Sequence, residues 1–495
     1  VSSLAVVIGA GVSELVAAHL LARAGHRVVV LEDRAATGDA TTGWIPPRIV
    51  RDLGLDRRGL QILRADPWIA APLPDGGRLE LWHDTARTVE AIRRVSPADA
   101  ARWPEFCERM ARLARLLEAI YAAPPPDPLG RGFGELARLA GVGLRVRRLG
   151  RQGIEDLLRL LPMSVADLLD DWFEADVLKG VLGAAGVMHL RQGPRSGGTA
   201  FVLLHHHVGS PAGVFRPPVS NLGRVLAELP GVEIRRGTEV ARIVVRGDRV
   251  AGVALAKSEE IAAALVVSGA DPRRTLLELV DPGWLDPELV RAVRNIRSRG
   301  VVARAALTLD RAPGFATLAV APSLDSLERA YDDAKYGRVS REPYLEARSA
   351  GPIADGRHRV DVHVQYAPYA LADGEWDEVR RAALGRLVAE TLSEHLPGAS
   401  AAITECRVLS PRDLEEAEGS PEGQAYHAEL ALDQALWMRP VPGLARYRTP
   451  IAGLYLCGPA THPGGAIAGA SGANAARAIL RDLRGGVVGR HMPGA

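Results

Sequence analysis

The sequence predicts an α/β fold in which a parallel, doubly wound sheet is assembled from distant parts of the chain. Three observations predict it. Residues 5–34, AVVIGAGVSELVAAHLLARAGHRVVVLEDR, read as an apolar strand, a glycine turn, an alanine-rich helix and a second apolar strand closed by Glu32. Residues 453–476, GLYLCGPATHPGGAIAGASGANAA, are again a short strand running into glycines and then a helix. Between them, helical and strand-rich blocks alternate over more than 400 residues, enough for a second, interleaved α+β domain.

Each element has its own signal. The N-terminal unit predicts a strand at 6–8, a helix over 12–24 and a strand at 27–31, the opening βαβ of a doubly wound sheet. From about 86 to 122, apolar residues three and four apart, as in WPEFCERMARLARLLEAIY, predict helix. APPPDPLG at 123–130 is a breaker, and more amphipathic helix follows to about 182. GRGFGELARLAG at 130–141 follows that breaker rather than a strand, so it reads as a loop and helix start, not as a second nucleotide fingerprint. Alternation in VEIRRGTEVARIVVRGDRVAGVAL, with a Gly247-Asp248 turn, predicts a β-meander. LVVSGADP is a buried strand ending in a glycine turn, VARAALTLD and HRVDVHVQYAPY are further strands, and 377–395 is helical. The domain expectation is 1–75, 215–285 and 440–485 for the nucleotide-binding part. The second domain is 76–214 and 286–439, and 486–495 is a C-terminal tail.

Composition narrows the class. Of 495 residues, 47% are hydrophobic and 24% charged, as in ordinary globular proteins. A formal net charge of +2 gives no global drive towards nucleic acid. Arg145, Arg147, Arg148 and Arg151 cluster locally; a solvated surface is the plain reading and a lipid or anion contact the alternative. Three cysteines, Cys107, Cys406 and Cys457, form no CxxC pair, which fits a reducing compartment and excludes a dithiol motif. No stretch approaches the ~20 uninterrupted apolar residues of a membrane span, and the N-terminus lacks a secretion signal. The expectation is a cytoplasmic protein.

Gly9-Ala10-Gly11 follows a strand and opens a helix. The first glycine permits the tight turn, the second lets backbone approach a pyrophosphate, and the helix N-terminus holds the anion. Glu32 lies near the ~20-residue offset at which a carboxylate binds ribose hydroxyls. Glu14 stands where the pattern wants a third glycine. A carboxylate about 4 Å from a diphosphate would repel it by roughly 1–4 kcal/mol at effective dielectrics of 80 down to 20, unless the side chain turns to solvent or pairs with an arginine.

These residues resemble phytoene-desaturase-like FAD oxidoreductases, in the branch named for a pyridine nucleotide-disulphide oxidoreductase domain. The resemblance extends through TEVARIVV at 238–245, VVSGADP at 266–272, GPRSGGTAFVLLHH at 193–206 and LDQALWMRPVPGLARYRTP at 432–450. It implies a Rossmann-like FAD-binding domain with an interleaved α+β substrate domain. It further implies that Gly9 and Gly11 face the diphosphate, Glu32 the ribose and the Val240 backbone the adenine. Arg34 and Gly38 complete the N-terminal contact. Gly458, Thr461, His462, Gly464, Gly465 and Ile467 would lie along the ribityl chain and flavin ring. With only one nucleotide fingerprint, the chain is not expected to take hydride from its own bound NAD(P)H.

The chain departs from that family at the cofactor. Besides Glu14, an arginine-X-glycine-glycine turn appears as Ala36-Thr37-Gly38-Asp39, the stretch from 38 to 53 is short, and Arg216-Pro217-Pro218-Val219 replaces a glycine-rich turn. Together these point to weakened, altered or absent FAD binding. Three functional readings follow. The first is an FAD-dependent dehydrogenase or desaturase acting on a hydrophobic or amphipathic small molecule by hydride transfer at flavin N5, with His462 as the candidate catalytic residue. Electrons would pass to oxygen, a quinone or a partner protein. The second is a flavin-free homologue that catalyses a redox-neutral isomerisation, cyclisation or elimination with Glu14 and Asp39 as acid and base. The third is a non-catalytic subunit of a heteromeric flavoprotein.

Other constellations carry less. His205-His206-His207 reads as strand, with His205 and His207 on one face, but no third ligand has suitable spacing and no metal is expected. Asp332, Asp333 and Lys335 read as a helix-end salt-bridge set. Tyr336, Tyr366 and Tyr369 are candidates to frame a substrate channel, in a pocket that 5% aromatic content predicts to be mostly aliphatic.

Overall fold

The computed structural model describes residues 4–34, 40–127, 132–396 and 398–485. A five-stranded, wholly parallel sheet runs in the order Leu454–Leu456, Leu265–Ser268, Leu4–Ile8, Arg27–Glu32, Glu233–Arg236. Its central strands are continuous runs of Val, Leu and Ile because both faces are covered, as parallel sheets require. The first and last strands of the chain are thus separated by a single strand.

The two terminal helices, Val12–Arg23 and Ala470–Arg484, pack on one face of this sheet. They approach so closely that a Cβ on Gly472 would lie 1.7 Å from the Ser13 carbonyl oxygen. Only glycine allows that contact. On the other face lies the meander Val240–Arg246, Arg249–Leu255, Glu260–Ala262. Its first turn has Gly247 at φ +56° and Asp248 at φ +61°, the two positive values that a two-residue hairpin of matching twist needs.

A seven-stranded sheet forms the other layer, ordered Ile403–Leu409, Val302–Leu309, His358–Gln365, Tyr344–Pro352, Thr317–Val320, Ile69–Pro72, Arg78–Leu81. Ile69–Pro72, which the sequence grouped with the nucleotide-binding segments, pairs in this sheet through Leu318↔Ala70 and Ile69↔Leu81. Helices Pro97–Tyr121, Val165–Trp172, Asp176–Val187 and Thr199–His207 cover it, around an aromatic cluster of Trp103, Phe106, Phe173 and Phe215 with centroids 5.0–6.3 Å apart.

One sequence expectation is reversed here. His205, His206 and His207 end a helix, Thr199–His207, rather than lying on a strand. Every residue of that helix is buried, so TAFVLLHHH shows neither helical nor strand periodicity. On a helix, successive side chains diverge by about 100°, so His205 and His207 do not share a face. Among the described residues no His, Cys, Asp and Glu group could hold a metal ion. No helix among the described residues is long and apolar enough to cross a membrane.

Candidate active site

A cavity of about 770 Å³ opens beyond the C-terminal ends of the parallel strands, within the ~300–1,000 Å³ range of cofactor and ligand pockets. Open α/β sheets bind ligands at this edge. It brings together Gly9, Gly11, Glu14, Glu32, Arg34 and Val240 from one side with Gly464, Gly465 and Ile467 from the other. Residues some 450 positions apart in sequence therefore meet in one site.

The glycine turn is built for an anion. Gly9, at φ +94°, donates its N–H to the Leu31 carbonyl at 2.8 Å, which joins the turn to the end of the second strand. Gly11 caps the helix Val12–Arg23 without any side-chain hydrogen bond. The first turn lies at the cavity, with the Glu14 N–H taken up by the Glu14 carboxyl itself. Glu32 accepts from the Ala10 N–H at 2.7 Å and the Arg34 N–H at 2.9 Å, so its carboxylate is held at the rim. Arg34 reaches the Glu416 carbonyl and Asp33.

Glu14 does not turn to solvent, and among the described residues it pairs with no arginine. It is 5% exposed, and its carboxyl folds under the glycine turn. A Cβ on Gly11 would meet Oε2 at 2.5 Å, and one on Gly269 would meet Oε1 at 2.0 Å. Two glycines thus make room for the side chain that replaces a third. Burial, with a smaller contribution from Glu32, pushes its pKa from 4.5 to about 8 against the opposing bond to its own backbone N–H. At neutral pH the group is mostly an uncharged acid. The repulsion expected from the sequence is therefore largely absent, and Glu14 corrects that expectation. Gly38 and Asp39 lie outside the described residues.

Three predicted residues stand behind the cavity wall rather than in it. Gly458 packs against Gly269, and Thr461 closes a turn by donating its Oγ1–H to the Gly458 carbonyl at 2.8 Å. His462 is fully buried, with its ring edge-on to Tyr121 at 5.6 Å, and is not among the cavity-lining residues. Burial lowers its pKa to about 4, so it is neutral. Tyr336 is exposed, Tyr366 donates to the Gln192 carbonyl and Tyr369 to Glu415; none lines the cavity. Asp332 and Asp333 pair with Lys335 and Arg338, as the salt-bridge reading expects.

Sequence reasoning missed the residues that shape the other end. Tyr426 lines the cavity and lies directly on Gly465, where an added Cβ would fall 1.8 Å from its ring. The Tyr426 hydroxyl is 3.1 Å from His206 Nε2, and His206 Nδ1 is 2.7 Å from the Ala185 carbonyl. A carbonyl only accepts, so Nδ1 carries the proton and Nε2 accepts from the phenol. His205 likewise donates Nε2–H to the Gly465 carbonyl and accepts from Tyr121 at Nδ1. Burial lowers His205 to about 3 and His206 to about 4, consistent with these neutral tautomers.

Arg439 fastens the floor. Fully buried and without a carboxylate partner among the described residues, it donates to the carbonyls of Tyr426, Ala428, Glu429, Gln434 and Pro459 at 2.8–3.2 Å. Arg216, where a glycine-rich turn was expected, is a buried cation of the other kind, paired with Glu346 at 2.8 Å and bonded to Tyr344. Nothing local in the sequence marks these partners, which lie 5–20 positions from Arg439 and 128 or 130 from Arg216.

A helix N-terminus at the cavity, a carboxylate at the end of the second strand, a neutral acid under the turn and a glycine run at the far end fit FAD. The comparisons agree. Residues 7–63 match the NAD(P)-binding Rossmann-like domain. Residues 168–480, more than half of the chain, match flavin containing amine oxidoreductase. Rat pyridine nucleotide-disulfide oxidoreductase domain-containing protein 2 is 31% identical over 97% of this chain and 94% of its own length. Hydroxyneurosporene desaturase of Cereibacter sphaeroides is 28% identical over 97% of both, and a limonene dehydrogenase subunit of Castellaniella defragrans 25% over 97% and 94%. In fold, the chain is similar to an oxidoreductase from Methanosarcina mazei (TM-score 0.57, 15% identity, 97% and 100% covered) and to putrescine oxidase (0.56, 15%, 98% and 99%). The chain belongs to the flavin-containing amine oxidoreductase family and is an FAD-dependent oxidoreductase with a Rossmann-like cofactor domain.

Proposed function

We propose that the enzyme dehydrogenates or desaturates a hydrophobic or amphipathic small molecule. When bound, FAD supplies a hydride acceptor or donor at N5. The chain's own residues bind, orient and keep out water. First-turn amides and neutral Glu14 receive the diphosphate, Glu32 the ribose, Val240 the adenine, and Gly464, Gly465 and Ile467 leave space for the ring. Tyr426, fixed by His206, presents a phenol of set orientation beside Gly465.

The observation that carries the substrate class is the apolar lining that Tyr426, Ala466 and Ile467 give this end beside Gly465. Glu418, a carboxylate that also lines the cavity, is already paired with Arg304, so an ammonium group would find it taken. Relatives named for limonene and hydroxyneurosporene are consistent with an apolar substrate. In this reading residues near 1–75, 215–285 and 440–485 hold the cofactor, apart from the strand Ile69–Pro72. Oxygen, a quinone or a partner protein takes the electrons, and the relative named as a subunit makes a partner protein a concrete choice. His462 is a support for the turn rather than a proton donor.

The test is anaerobic flavin reduction. FAD-reconstituted protein should be yellow and should bleach with a terpene hydrocarbon such as limonene but not with putrescine. Bleaching by putrescine alone would refute the substrate class, and a colourless protein that takes up no FAD would refute the whole reading.

A further inference from the structure

The helix Phe133–Arg147 buries none of its residues, yet one of its faces is apolar. Phe133, Leu136, Ala137, Ala140 and Leu144 follow the i, i+3, i+4, i+7, i+11 spacing of a single stripe, and all five are exposed. Phe133 is 89% exposed, Leu136 53% and Leu144 50%. Exposed apolar residues are normal when scattered, but a contiguous stripe marks an interaction surface.

Positive charge sits at the end of that stripe. Arg147 continues it one turn beyond Leu144, with Arg145 and Arg148 beside it, and all three are exposed. Among the described residues none of these three makes an ion pair, whereas Arg151 pairs with Glu155. The acid of this helix, Glu135, is turned away. It bonds Arg138 at 3.0 Å, Arg446 at 2.7 Å and the Asp127 N–H at 3.1 Å, which anchors the helix by its inner side, where Leu139, Val142 and Val146 are half-buried. The outward face therefore offers apolar side chains and unanswered cations, and no acid.

We propose that this face docks on the anionic phospholipid surface of a membrane. The stripe would lie in the plane of the surface at the acyl boundary, with the arginines against headgroup phosphates and carboxylates. A second copy of the chain is the weaker occupant, because the same face brings no acid to meet Arg145, Arg147 and Arg148. No described helix is able to cross a bilayer, which suits docking rather than spanning. This inference does not depend on the substrate.

The experiment is co-sedimentation of the FAD-loaded full chain with vesicles of phosphatidylcholine and phosphatidylserine, and of phosphatidylcholine alone. The wild type should pellet with the anionic vesicles, less so as salt rises, and stay in solution with the neutral ones. Replacing the three arginines by glutamine should lower the partition coefficient roughly a hundredfold, at about fivefold per arginine. Phe133→Ser, Leu136→Ser and Leu144→Ser together should abolish binding, with flavin content unchanged as the check on folding. Equal partition of the wild type and both variants overturns the proposal, as does a wild type that binds neither vesicle. A wild-type dimer that the serine variant converts to monomer, without vesicle binding, assigns the face to a second copy and also overturns it.

Discussion

Replacing Glu14 by glutamine should make the apoprotein more stable at neutral pH and remove a specific part of its pH dependence. The carboxyl titrates at 4.5 when unfolded and about 8 when folded. Between those values the folded state binds more protons than the unfolded state, so stability falls as pH rises through the window and is level on either side. At 1.36 kcal/mol per pH unit, the whole window is worth about 5 kcal/mol, and the part already lost at pH 7 about 3 kcal/mol. Glutamine keeps the shape and carries no ionisable proton. Urea unfolding of the apoprotein from about pH 5 to about pH 9 should therefore give a falling profile for the wild type and a flatter one for Glu14→Gln. FAD affinity should follow. Above about pH 8 an ionised Glu14 repels the diphosphate, and 1–4 kcal/mol corresponds to a loss of roughly fivefold to nearly a thousandfold in the wild type only. Parallel stability profiles for the two proteins would refute the argument, because they would show that Glu14 ionises in the folded state as readily as in the unfolded one.

Three further perturbations have clear signs. Glu346→Gln leaves Arg216 buried with no anion and should destabilise the protein by about 3–5 kcal/mol in chemical denaturation. Gly472→Ala forces apart the two terminal helices at their closest contact, and should lower both stability, by about 1–3 kcal/mol, and FAD affinity in fluorescence titration. Tyr426→Phe strips His206 Nε2 of its donor and should cost about 1–3 kcal/mol while FAD content stays intact.

The sequence was most legible where a local pattern repeats a backbone rule. The N-terminal βαβ, the Gly247-Asp248 hairpin and the strand–helix unit near the C-terminus all stand where their periodicity and glycines put them. The identity of Glu14 as an anomaly was also visible. Its direction was not, because that depends on Gly269, 255 positions later, having no side chain. The histidine helix resembles a strand in sequence because a fully buried segment loses the alternation that separates the two structures. His462 looked exposed to the cofactor because its neighbours are glycines, but the turn sends its ring towards Tyr121 and the core. Tyr426, Arg439 and the Arg216–Glu346 pair depend on tertiary contacts and have no local signal.

The contact between Ser13 and Gly472 has a consequence for biosynthesis. The wall that carries Ser13 leaves the ribosome before the wall that carries Gly472, by on the order of 20–90 s at ordinary elongation rates. During that interval the early helix lacks its packing partner, and the strand Leu265–Ser268 lacks its neighbour Leu454–Leu456. Assembly of the cleft thus waits for the strand–helix unit at 454–484, and a chain stalled before residue 454 would display an unpartnered apolar sheet to chaperones and proteases.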